Sequence, residues 1–313
     1  MYRPIVHLQA SSGSQKMVHG QRGRCRFCGA DGAGSSRKKA HLVPEALGNR
    51  WIFSADECYA CNQKFSLYED ALVAAVGPIL TLGGTAGKRG KARQTGRSAG
   101  NSVLTHTRLD GQRQLRIISQ NVEDYRERVT LDGDWIVTRM PLPLTPFTPL
   151  LAYKALVKMA LTLVPVTDLE HYGGLQPFLK DRNAMAPEGR ATVGLSFGSI
   201  GNAPPMVVAS LLQRVDNALL IPKFIFILCV GSVCLQLFLT ADSLSHTGVM
   251  RGTPTLQFTV VLGKPGAEDL RIAYNNLRVL DWSSAAPEPQ PLKEIVLRFN
   301  QGTTQAEFHP VWR

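Results

Sequence analysis

Cys25-Arg26-Phe27-Cys28-Gly29 and Cys58-Tyr59-Ala60-Cys61-Asn62 form two Cys-x-x-Cys pairs, and Lys39-Ala40-His41-Leu42-Val43-Pro44 lies between them. Each pair presents two sulfurs from one tight turn, so four thiolates in two pairs can close a tetrahedral zinc site. Cys25, Cys28, Cys58 and Cys61 are therefore the expected ligands of a structural zinc. The 29 residues between Cys28 and Cys58 become a loop pinned at both ends, which can hold His41 against the side chain of Asn62. Ala40 to Val43 reads as a short strand ended by Pro44. Asn62 to Val76, with Phe65, Leu67, Leu72, Val73 and Val76 among polar residues, reads as a helix stopped by Gly77-Pro78. The order is knuckle, hairpin, helix.

Outward from this module the 313-residue chain carries a net charge of +11, with 44% hydrophobic and 19% charged residues. That composition fits a globular fold rather than disorder. Residues 1–128 hold 20 Lys/Arg against 10 Asp/Glu, while residues 129–313 hold 15 against 14. Nearly all the excess positive charge travels with the cysteine pairs, which points to a polyanion as partner of that portion. Residues 1–23 read as a flexible lead, 24–80 as the module and 81–140 as a basic loop and connector. Residues 141–313, which open on a proline-rich boundary, read as a mixed α+β domain with an antiparallel sheet.

Within the connector, Lys88, Arg89, Lys91, Arg93 and Arg97 sit in Gly-rich sequence. They are either a solvated linker or contacts to nucleic-acid phosphates. Leu150 to Val164 has helical periodicity with Lys154 and Lys158 on its polar side, and Met206 to Val215 reads as a second helix. Ala191 to Phe197, Thr255 to Leu262 and Ile295 to Phe299 read as strands. Phe224 to Ala241 is long enough to cross a membrane, but its Gly231, Ser232 and Gln236 favour two buried strands joined at the glycine. Cys229 and Cys234 read as buried small hydrophobes. No apolar h-region follows Met1, so a reducing cytoplasm with zinc-bound thiolates is expected rather than a disulfide framework. The six other histidines carry no surrounding motif.

Cys25 to Cys28, His41-Leu42-Val43-Pro44, Leu47-Gly48-Asn49 and Cys58 to Asn62 together resemble the HNH endonucleases. More narrowly, the stretch is similar to members whose ββα-metal motif is stapled by four cysteines around zinc. The resemblance covers about residues 24–76. It implies a phosphodiester hydrolase acting on nucleic acid, most readily DNA, in a setting such as defence against foreign DNA. By the same resemblance His41 is the general base, and Asn62 ligates a catalytic Mg²⁺ or Mn²⁺. Cleavage then leaves 5′-phosphate and 3′-hydroxyl ends.

Many members carry Asp or Glu before the histidine, where this chain has Ala40. Either Asn62 holds the ion with waters and substrate, or Glu45, Asp56 or Glu69 substitutes. Glu69 lies seven residues beyond Asn62, a spacing that suits support of the site better than direct ligation. Three readings follow: a DNA endonuclease, a zinc module that binds nucleic acid without cutting, and a nuclease whose C-terminal portion senses a small molecule or forms a homo-oligomer. A zinc-dependent base deaminase is excluded, because it needs His-x-Glu and Pro-Cys-x-x-Cys and the chain has neither.

Overall fold

The computed structural model describes residues 2–34, 39–90, 94–97, 103–109, 112–118, 128–142, 146–186, 191–198, 205–215, 222–239, 275–303 and 306–313. Helices and antiparallel sheets are mixed along the chain, an α+β fold with ββα elements near its start. At its centre is a six-stranded antiparallel sheet. Its strands run in the order Tyr2–Ser11, Met206–Arg214, Phe224–Val230, Val233–Leu239, Thr192–Phe197 and Asn275–Asp281. Phe224–Val230 and Val233–Leu239 are the two strands expected in place of a membrane span, and Gly231 turns between them at φ +53°.

Two helices lie against this sheet: α1 (Tyr59–Leu82) and α2 (Pro149–Leu163). A single hydrophobic core runs from Phe27 of the first cysteine pair through α1 and α2 to Leu239 of the sheet. The cysteine module thus shares its core with the C-terminal portion of the chain. Among the described residues α1 is the one helix long and apolar enough to cross a membrane. Its most apolar window is 56% buried inside the protein, as a core helix would be.

Four expectations change. The lead is not loosely ordered over Tyr2–Ser11, which pairs along its length with Met206–Arg214. Local sequence could not show this, because the partner lies some two hundred positions away. Met206–Arg214 is itself a strand and not a helix. Both faces of that strand are covered, so its apolar residues run on without alternating and mimic a buried helix. Helix α1 starts at Tyr59 and continues through Pro78 to Leu82. Proline inside a helix costs about 3 kcal/mol, but Ile79, Leu80 and Leu82 are buried beyond it. Each contributes roughly 1.5–3 kcal/mol, which is enough to carry the helix on.

The fourth change concerns α2, which is buried all round, Lys154 and Lys158 included. Wedged among α1, the sheet and the short helix Leu175–Lys180, it has no solvated face. Lys154 instead donates to the carbonyls of Asp181 (2.5 Å) and Arg182 (3.1 Å), with its Nζ 4.4 Å from the Phe178 ring centroid. Lys91, Arg93 and the strand expected over Thr255 to Leu262 lie outside the described residues.

Candidate active site

The first cysteine pair forms a tight knuckle in which the Gly29 N–H donates to Cys25 O at 2.8 Å, with Gly29 at φ +76°. The second pair opens α1: Cys58 is the N-cap, and its sulfur accepts the Cys61 N–H at 3.5 Å. Cys25 Sγ accepts the Cys58 N–H at 3.4 Å. All four sulfurs lie within 4.8 Å of one another, and Cys28 and Cys58 are 3.6 Å apart. Tetrahedral Zn–S bonds of about 2.3 Å separate sulfurs by about 3.8 Å, so the four fit one zinc ion. The hydrogen bond from Cys61 holds the Cys25 thiol down at about 4, and the same contact pushes Cys61 up. Four thiols crowded this closely can share little negative charge until a cation joins them.

Between the pairs, Met17–His19, Ile52–Ser54 and Ala40–His41 make a small sheet in that order. Asn49 holds the loop that joins its last two strands. Wholly buried, it donates to the carbonyls of Val43 (2.6 Å) and Ile52 (2.8 Å) and accepts from the N–H groups of Trp51 (3.0 Å) and Ile52 (2.9 Å). Every polar capacity of its amide is used. Gly48 beforehand takes φ +96°, a conformation glycine adopts without strain. The job of Asn49 is to shape the hairpin that presents His41. Nothing local to Asn49 in the sequence shows this role, because its partners are set by the fold of the loop.

The His41 ring rests on Phe53 at 4.6 Å, and its Nδ1 is buried without a hydrogen-bond partner among the described residues. Burial lowers its pKa from the usual 6.5. The Glu45 charge opposes that shift, while Lys158, Lys16 and Lys88 add to it. Asn62 stands in the first turn of α1. Because Cys58 does the capping, the Asn62 side chain is not needed for it. His41 and Asn62 line one open cleft of about 230 Å³ together with Glu45, Ser66, Glu69, Asp70 and Lys88.

Of the carboxylates weighed against Ala40, Asp56 is committed elsewhere: it takes Arg26 Nε at 2.6 Å and Ser54 Oγ at 2.9 Å. Glu69 reaches the cleft but pairs with Lys158 Nζ at 3.1 Å. Glu45 accepts the Arg89 N–H at 3.3 Å. Asp70, unnoticed in the sequence, is one helical position past Glu69 and also faces the cleft. Among the basic residues, Lys88 and Arg89 are exposed beside the cleft, and Arg97 lies in the strand Gln94–Arg97. Lys16 was missed as well, since no motif surrounds it. Its Nζ lies 5.9 Å from the ring of the same Phe53 that supports His41.

Arg26, between the first two cysteines, donates to the carbonyls of Leu161 (3.1 Å) and Val164 (2.6 Å), closing the C-terminal end of α2. From that end of the molecule Lys158 enters the module. Its Nζ lies 3.0 Å from Glu57, 3.1 Å from Glu69 and 3.2 Å from His41 O. Burial pushes the Glu57 carboxyl up to about 7 against the pull of Lys158. Burial alone would lower Lys158, but Glu57 and Glu69 together hold it above its ordinary value.

No curated protein and no solved structure matches the chain. Residues 25–73 match the family model described as HNH endonuclease. With the four-cysteine cluster and the ββα elements in that same segment, the N-terminal portion is the part of the chain that carries an HNH endonuclease module.

Proposed function

We propose that the protein is a metal-dependent DNA endonuclease in which His41 is the general base and Asn62 a ligand of the catalytic ion. The observation that carries this reading is the shared cleft. His41 and Asn62 line one space, and the charges of Lys16 and Lys88 act on the imidazole there. The other donors there, on Glu45, Ser66 and Asp70, are oxygens, which suits Mg²⁺ or Mn²⁺. Such an ion supplies a positive charge against the scissile phosphate. His41 takes the proton of the attacking water, and the lysines hold the phosphate backbone over the cleft. The products carry 5′-phosphate and 3′-hydroxyl ends. Work on foreign DNA in the cytoplasm is the setting this chemistry fits.

Supercoiled plasmid with Mg²⁺ or Mn²⁺ provides the test. The zinc-loaded protein should nick it, and Asn62→Ala should lower the rate at saturating plasmid about a hundredfold or more. Failure of the wild-type protein to cut with any divalent ion would leave the second reading, a zinc module that binds nucleic acid without catalysis. The absence of a carboxylate at Ala40 is what favours that reading.

A pH dependence follows from His41. A base acts only when unprotonated, and burial lowers the pKa of this imidazole, so the active form persists to more acid pH. In a profile of kcat/KM against pH, which reports the free enzyme, the acid limb should fall below pH 6.5. A midpoint above 6.5 would contradict the assignment.

A further inference from the structure

We propose that Lys158, on α2 and well outside the segment 25–73, is a positioning residue that sets the separation between His41 and the helix bearing Asn62. The inference rests on reading His41 as the general base. Its basis is one buried ammonium with acceptors on three separate pieces of the module. Lys158 Nζ donates to the backbone carbonyl of His41 (3.2 Å) and to Glu69 on α1 (3.1 Å). It also lies 3.0 Å from Glu57, immediately before the second cysteine pair. The side chains of Lys158 and Glu57 are both 0% exposed. Glu57 meets the same ammonium as a buried ion pair, while the bonds to His41 and Glu69 join the strand to α1. Glu69 stands two turns along α1 from Asn62, and a helix is stiff over that distance. The strand carrying the base and the helix carrying the metal ligand are therefore tied to one point.

Packing alone does not account for a lysine here. A methionine of similar length would fill the same volume but leave Glu57, Glu69 and the His41 carbonyl without their shared partner. Lys154, one turn earlier and equally buried, shows what a purely structural lysine on this helix looks like. It bonds the carbonyls of Asp181 and Arg182 and touches nothing in the cleft. The difference in what the two ammonium groups hold is the difference in what they do. A part of the chain that the module's motif does not include thus completes the site.

The experiment compares Lys158→Met, Lys154→Met and His41→Ala in the full-length, zinc-loaded protein with plasmid and Mg²⁺. Turnover is normalised to folded molecules, and amide exchange is followed in parallel. Lys158→Met should lower kcat about a hundredfold, the scale expected when a catalytic group is misplaced by about 1 Å, with KM within about threefold. Its exchange should quicken at Ala40 to Leu42 and stay unchanged at Phe224–Leu239. Lys154→Met should lower the melting temperature and leave kcat within about threefold. If Lys158→Met fails to fold, the double variant Glu57→Gln/Lys158→Gln removes both opposite charges together and should show the same loss of kcat.

Equal kcat for the folded Lys158 and Lys154 variants, with His41→Ala inactive, would overturn the positioning role and spare the base. Full activity of His41→Ala would overturn the base. Amide exchange at Ala40 to Leu42 then decides the tether, and unchanged protection there in Lys158→Met rules it out.

Discussion

Removal of zinc should unfold the whole chain in one transition, and not the cysteine module alone. Binding of structural zinc to small modules releases about 10–16 kcal/mol, and a typical domain is stable by only about 5–15 kcal/mol. Losing the ion therefore removes an amount comparable to everything that holds a domain together. The loss spreads because the knuckle is wired into the rest. Arg26 closes the end of α2, Phe27 lies in the common core, and Gln176 bonds back to Arg26 O at 3.3 Å. Chelator titration followed by far-UV circular dichroism and by amide exchange in Phe224–Leu239 should give superimposable curves. Cys61→Ser should behave like the chelated protein. A central sheet that keeps its protection after zinc has left would mean that the two portions fold independently.

His41→Ala should abolish cleavage while leaving the fold nearly untouched. Removing a general base typically costs about 10²–10⁴ in rate. The structural cost is small, because the ring is half-buried, rests on Phe53 and has no hydrogen bond at Nδ1 to lose. The contribution of His41 to folding runs through its backbone, in the strand and in the bond from Lys158, and alanine keeps both. The expected result is a melting temperature within a few degrees of wild type, DNA binding retained, and nicking reduced by about a thousandfold. Activity within tenfold of wild type would remove His41 from the mechanism. Losses of stability and activity together would instead make it a structural histidine.

The parts of this molecule that were legible beforehand share a property: their physics is local. A Cys-x-x-Cys turn needs only four residues to present two sulfurs, so the zinc ligands could be read by spacing alone. The same holds for the hairpin at Gly231 and for the helix over 149–163, whose periodicity is carried by neighbours three and four positions apart. The misreadings have the opposite character. Tyr2–Ser11 contains a proline and several polar residues, and becomes a strand only because Met206–Arg214 offers it an edge. Pro78 looked like a helix stop because the apolar surface that covers Ile79 and Leu80 belongs to other parts of the chain. Lys154 and Lys158 looked like a solvated face because nothing in a single helix reveals what lies opposite it.

For the site, residue order carries the inventory: four sulfurs for zinc, one histidine between them and one asparagine after them, in an order that admits few chemistries. Tertiary structure alone decided the surroundings. It placed His41 and Asn62 in one cleft, engaged Asp56 with Arg26, brought in Lys16 from the lead, and drove Lys158 into the centre of the module. The physical reason is range. Turn geometry and ligand spacing act over a few residues. The burial of a charge, and the pairing that makes it tolerable, depend on groups that meet only when the chain has folded.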